Sequence, residues 1–412
     1  MTTRRTVLGG LVAVAALAGC QQRKPAGPAA VPNLPVPDRP VPDVLVAGSR
    51  TGLVRLDGTG AHPLGPAAEI SRDGRVAYTV RAGVAGGSSL VRLDVAGGEP
   101  VRSTTLGGGW VPREISADGR ACVLARSAAT DRPAARPRTS LLVVTDDGQR
   151  TYDLAGVVEP DAFTRDGTGL FVLEWLPATA PDHYRVRVLD LTRGALSPLS
   201  TRAKVPVPAG AEEEMRGLGR QAVLSPDATV LYTLYTHQPG HQHTRDLLAG
   251  TRGNVHAFVH VLQLTERWAY CLDLPHPFGE GPAESHALAA DDEHVAVVDR
   301  ASGSLVYAGT GSLAIEKVIA VPAAAGTASL QFTGDRRVLL GAGPAVTVLD
   351  RGGAAVTGTW PVPGVVGGLA LSPDGRRLYV GGTDEVVWLD AASGAVQGRA
   401  AVPGLTAVRH VG

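Results

Sequence analysis

Cysteine is nearly absent, with three residues in 412, at positions 20, 122 and 271. That scarcity excludes a disulfide-built scaffold, and the spacings leave no Cys-x-x-Cys pair and no Cys-x-x-Cys-His for covalent haem. Net charge is absent as well. Lys+Arg 39 balance Asp+Glu 39, and a chain without a basic surplus lacks the electrostatic footprint of a nucleic-acid binder. Lysine is reduced to Lys24, Lys204 and Lys317, a bias that fits a GC-rich genome. The apolar run Val7 to Ala18 is too short to span a bilayer as a helix, which takes about 20 residues. No phosphate-cradling loop and no Gly-x-Ser-x-Gly elbow occur, and Gly107-Gly108-Gly109 falls in a turn between strands, the wrong context for a dinucleotide fingerprint.

What is present begins with export. Arg4-Arg5, the apolar run and the small residues of Leu17-Ala18-Gly19-Cys20 read as a signal peptide over residues 1–19. Its end resembles a bacterial lipoprotein box, in which Cys20 is lipidated, and Thr3 to Leu8 resembles the twin-arginine motif. Residues 20–43 follow as the lipidated cysteine and a tether carrying Pro25, Pro28, Pro32, Pro35, Pro37, Pro40 and Pro42, a composition that favours extended polyproline II. Removing the leader leaves a body close to neutral, which suits an acyl anchor better than a polybasic one. The expected place is therefore outside the cytoplasm, lipid-anchored to the cell membrane, as a monomer. Cys122 and Cys271 lie in strands of different repeats and are expected as two separate buried thiols.

From residue 44 to 412 the chain reads as a single all-β domain of short alternating strands broken by Asp-Gly turns. One turn recurs with aspartates 73, 118, 166, 227, 292, 335 and 374, the first four and the last within Ser/Thr-x-Asp-Gly or a near variant. These carboxylates are expected to serve turn chemistry and not catalysis. Their intervals match the period of a four-stranded propeller blade. With strands lettered A to D, seven blades lie between residues 67 and 402. Val44 to Ala47, Leu53 to Leu56 and Ala61 to Leu64 supply B, C and D of one more, and Leu405 to Val411 supplies its A. Eight blades, closed by the two chain ends, are expected, with seven as the alternative.

The stretch Leu369-Ala370-Leu371-Ser372-Pro373-Asp374-Gly375-Arg376-Arg377-Leu378-Tyr379-Val380, continuing to Val387-Trp388-Leu389-Asp390, resembles repeats of the YVTN-type bacterial propellers of the quinoprotein-dehydrogenase-like superfamily. The resemblance implies an exported propeller and no particular activity. No Trp-Asp dipeptide occurs, so WD repeats match less well.

The long insertions fall at 126–139, 175–183, 200–217, 236–254 and 274–285, all on the face that carries B–C and D–A loops. This sector is the expected binding rim, with candidates Trp175, His183, Tyr184, Glu213, Arg216, His237, His241, His243, Asp246, His276 and Phe278. Residues 237 to 260 hold five of the eleven histidines. A divalent metal at His237, His241 and His243, with Asp246 nearby, is the one cofactor considered. His256 and His260 are expected on a strand, packed between blades. Glu212-Glu213-Glu214 reads as an acidic stretch of the rim, or merely a solvated run. The expected function is a binding or scaffolding module for a protein or cell-surface ligand. The alternative is a quinoprotein-like or lactonase-like enzyme, which should carry converging ionisable groups with perturbed pKa at the channel mouth.

Overall fold

A computed structural model describes residues 36–83, 87–253, 255–352 and 355–412. The signal peptide, Cys20 and the first part of the tether lie outside the described residues. Eight sheets of four antiparallel strands stand in a ring, one of them extended by a short fifth strand that pairs parallel. Blade 1 takes B, C and D from Leu45–Ser49, Gly52–Asp57 and Gly60–Gly65, and its A from Leu405–Val411. Blades 2 to 8 span residues 69–106, 111–155, 157–198, 221–273, 286–320, 329–361 and 368–401.

The turn between A and B shows why this sequence makes this fold. In blade 8, Ser372 Oγ donates to Asp374 Oδ1 at 2.6 Å and accepts the Arg377 N–H at 2.9 Å, while Asp374 accepts the Arg376 N–H at 3.0 Å. Gly375 supplies the left-handed φ of 68°. Most of the hairpin's polar groups are thus bonded within six residues, the Ser372 N–H to the Arg377 carbonyl and the Gly375 N–H to the Ser372 carbonyl included. Ser71–Asp73, Ser116–Asp118, Thr164–Asp166, Ser225–Asp227 and Thr333–Asp335 repeat the hydroxyl-to-carboxylate bond at 2.5 to 2.7 Å. Blade 6 departs from the expected register: Asp291, not Asp292, accepts the backbone N–H groups of Glu293 and His294.

Strands with two buried faces fill the seams between blades. Leu378, Val380, Val387 and Leu389 of blade 8 pack on Leu339, Val346 and Val348 of blade 7, whereas the seam of blades 4 and 5 is aromatic, with Phe171, Trp175, Tyr184, Tyr235 and Phe258. The ring closes as expected: Leu45 pairs with Val411 and Ala47 with Val408. The last residues placed in the tether are part of the folded body. Arg399 donates from its backbone to Pro37 and from Nε to Asp38, and Val41 is buried. Asp43 accepts from Arg377 and from the Tyr379 hydroxyl at 2.6 Å. Cys122 and Cys271 are separate buried thiols. Among the described residues no helix is long and apolar enough to cross a membrane.

Candidate channel site and histidine cluster

Strand A of each blade lines the central channel, so charges on these strands face one another across it. A cavity of about 610 Å³ opens on the long-loop face and a second of about 490 Å³ on the opposite face. Both are lined by Glu69, Glu114, Asp161, Arg220 and Arg409. Two of these charges neutralise each other, since Arg220 pairs with Asp161, and close by Arg113 Nη1 and Arg136 Nη2 bracket Glu159 at 2.6 and 2.5 Å. Glu69 and Glu114 make no side-chain hydrogen bond among the described residues. Burial pushes Glu69 up to about 7, against the pull of Arg409 and Arg113. Burial, reinforced by the charges of Asp161 and Glu69, holds Glu114 well above the usual carboxylate range.

The long loops stand over this mouth. Gly217 lies so close to the 126–139 loop that a Cβ there would meet the Asp131 carbonyl at 3.1 Å. Beside the channel, Asp131, Arg132, Asp182, Arg216 and Glu284 line a further cavity of about 450 Å³. The 200–217 loop is itself tied down. Its Met215 exchanges backbone hydrogen bonds of 2.8 Å with Tyr184, on the stretch of strand C that the short strand Ala195–Pro198 leaves unpaired. Glu212 accepts from Arg185 at 2.9 Å and Arg187 at 3.0 Å.

The second place is a cluster outside the channel. His241 Nε2 and His243 Nδ1 face each other at 3.2 Å, and the Cys271 thiol meets Glu213 Oε2 at 2.8 Å. One ligating atom from each of these four residues lies within 4.8 Å of all the others. Phe258 fixes both rings: His241 stacks on it with centroids 4.3 Å apart, and His243 meets its edge at 5.2 Å. His243 Nε2 bonds Asp273 Oδ1 at 2.5 Å, and Arg245 in turn holds Asp273. Burial would lower the His243 ring, but its hydrogen bonds to Asp273 and Glu213 hold it up at about 9. Burial and the neighbouring His243 charge push His241 down to about 4. Burial would raise Glu213, but its hydrogen bond to His243 and the charges of His260 and His243 bring it to about 2.

The expected rim divides accordingly. Arg216 and His276 are exposed, and His183 sits between Asp182 at 2.6 Å and Glu214 at 3.4 Å. Tyr184 and Phe278 are core residues, and Trp175 keeps only its edge on the mouth. The reason is that their strands and turns are covered on both sides by neighbouring blades. The Glu run is not a solvated face, since Glu212 and Glu213 are consumed by internal contacts and only Glu214 is exposed. Of the metal candidates, His241 and His243 come together. His237 does not; its ring bonds Thr236. Asp246 accepts the His243 backbone N–H at the start of the helix Thr244–Ala249. His260 is buried on its strand as expected, whereas His256 precedes the strand Phe258–Gln263.

Sequence reading missed Cys271 as a partner of the histidines, and it missed the channel carboxyls. Signals for both existed. Glu69 and Glu114 each stand two residues before the turn serine of adjacent blades, and Cys271-x-Asp273 places two polar groups on one face of a strand.

No protein-family model matches the sequence, and no curated protein matches it. Solved structures do match. Sqt1 of Saccharomyces cerevisiae is similar with a TM-score of 0.50 at 10% identity, covering 90% of each chain. The likeness is one of fold. The dihydro-heme d1 dehydrogenase NirN in complex with DHE gives a TM-score of 0.47 at 17% identity, over 90% of this chain and 76% of that one. A eukaryotic initiation factor gives 0.47 at 14%, over 88% and 96%.

Proposed function

We propose that the protein is an extracytoplasmic binding module, held to the membrane through Cys20, that takes a cationic group of a cell-surface ligand into the mouth of its channel. Kinship with the YVTN-type propellers, through the stretch from Leu369 to Asp390, belongs to the same reading. The observation that carries it is the pair Glu69 and Glu114, without hydrogen-bond partners of their own, inside a cavity of about 610 Å³, a volume typical of small-molecule sites. With Arg113 and Arg220 already neutralised, an incoming amine finds carboxyls that ionise as it arrives, and the loops of blades 3 to 5 offer contacts around it.

Two measurements test this. Small amines, amino sugars and neutral polyols are compared by thermal shift at pH 7 on wild type and Glu114→Gln. Stabilisation by amines alone, lost in the variant, supports the reading; an equal response of both proteins removes the channel from it. Cys20→Ser should move the protein from the membrane to the soluble fraction of its host, and retention at the membrane refutes the anchor.

The same carboxyls favour a second reading, an enzyme using one of them as general acid or base, since a carboxyl near 7 is poised for proton transfer. Turnover of a lactone or an alcohol, abolished in Glu69→Gln, selects that reading over capture alone.

A further inference from the structure

We infer that Glu213, His241, His243 and Cys271 form a closed, four-ligand site for a zinc-class divalent cation that staples two long loops to the outer strand of blade 5. The inference does not rest on the channel reading.

Three elements far apart in sequence deliver the donors. Glu213 comes from the 200–217 loop, His241 and His243 from the 236–254 loop, and Cys271 from the strand Trp268–Asp273. The hydrogen bonds around the cluster fix which atoms point inward. His243 gives its Nε2 side to the Asp273 carboxylate, so Nδ1 turns a lone pair inward when the ring is neutral. His241, stacked on Phe258, turns Nε2 to the same point. Without a metal an N–H of one ring donates to the lone pair of the other across the 3.2 Å between them; a divalent cation would displace that proton and take both lone pairs. Glu213 has one oxygen occupied by the Thr244 N–H at 2.9 Å, which leaves Oε2 for the centre. In a tetrahedral zinc site, neighbouring donor atoms stand about 3.3 to 3.8 Å apart. The 3.8 Å between His243 Nδ1 and Glu213 Oε2 has this length, the His–His separation of 3.2 Å is just under it, and the 2.8 Å between Cys271 Sγ and Glu213 Oε2, a hydrogen bond without the metal, would have to open.

The donor set selects the metal class. One thiolate and two imidazoles exclude magnesium and calcium, which take oxygen ligands, and favour zinc and its neighbours. With a thiolate and a carboxylate, a divalent ion leaves the four-ligand unit neutral. Asp273 is the positioning residue, orienting His243 as carboxylates commonly do behind a ligating histidine. The cavity adjoining Glu213 and His260 is about 40 Å³, room for water but not for a substrate. A structural role follows.

The test uses the full chain, stripped with a chelator and titrated with Co²⁺, then Zn²⁺. The expected result is one Co²⁺ per chain, with intense visible bands of tetrahedral cobalt and a near-ultraviolet thiolate band, both erased by Zn²⁺. Cys271→Ser should lose the thiolate band and Cys122→Ser should keep it. Asp273→Asn should keep the spectrum and weaken binding by about 10- to 100-fold, and His237→Ala should change nothing. The inference is overturned if wild type shows no saturable binding, which would mean that a shared proton bridges the rings. It is equally overturned by an octahedral spectrum, or by a thiolate band that survives in Cys271→Ser. Should a variant fail to fold by circular dichroism, the wild-type spectrum decides alone.

Discussion

Blade 8 and blade 5 are built on one plan and differ in what the chain adds to it. Blade 8 is four strands and two self-satisfied turns, with Ser372, Asp374 and Gly375 at one and Asp390 accepting the N–H groups of Ala392 and Ser393 at the other. Its seam toward blade 7 is mainly aliphatic. Blade 5 carries Ala228 where blade 8 has Gly375, at a φ of 57°. It also gains a fifth, parallel strand at Ser200–Thr201 and the loop with the helix Thr244–Ala249. Its interior holds tyrosines, histidines and a carboxylate. The difference teaches that turn chemistry alone suffices to raise a blade. Polar groups buried beyond that need serve something other than the ring.

The largest effect should come from the pairing of the two chain ends within blade 1, where it meets blade 8. Removing residues 404–412 strips the partner of Leu45–Ser49 and bares a strand edge, so the expected outcome is aggregation in place of a monomer by size-exclusion chromatography. An intact monomer with an unchanged melting curve would show that closure is dispensable.

Next comes the aromatic seam. Phe258→Ala should cost about 3–5 kcal/mol and Leu378→Ala about 2–5 kcal/mol in denaturant unfolding. The two can be told apart by a second readout: only Phe258→Ala should make the 236–254 loop sensitive to protease, because only Phe258 braces His241 and His243. Equal protease resistance would place blade 5 on the same footing as blade 8.

The channel gives a pH signature that neither seam has. Glu69 titrates near 7 in the folded chain against about 4.3 to 4.5 when unfolded. The folded state therefore holds a proton that the unfolded state has lost, and the stability present below about pH 4.5 falls as pH rises to 7. The loss approaches about 3 kcal/mol. Glu69→Gln should make the slope over this interval shallower, leaving the share that Glu114 contributes, and gain stability chiefly at pH 8. A slope unchanged by the substitution refutes the assignment.

The smallest effects come from exchanging the two turns. Gly375→Ala has open space around its new Cβ, so its cost of about 1–2 kcal/mol is backbone conformation alone. Ala228→Gly should return about 1 kcal/mol. If both changes are neutral, the left-handed position is not what distinguishes these hairpins.

The same contrast accounts for what could be read in advance. The ring was legible because each A–B hairpin satisfies itself within six residues, so its residues recur as a string. The eighth blade was legible because three strands at one end and one at the other were left without partners. The histidine pair could be read because the two residues are adjacent but one in a loop. Cys271 and Glu213 could not be assigned to it, because they meet only after the ring has formed and no period links a loop carboxylate to a strand thiol. The rim was over-read for a related reason. Trp175 and Tyr184 fall near loop ends, where exposure is expected, yet both side chains are buried in the seam of blades 4 and 5.

The clasp of blade 1 also sets an order of manufacture. Its strands B, C and D emerge early and its innermost strand is the last of all, so the whole ring must be synthesised before the first blade can be finished. Until then the nascent chain is an open arc with a waiting edge at Leu45–Ser49. Any chaperone, protease or export machine that meets it during that interval meets a different object from the finished disc.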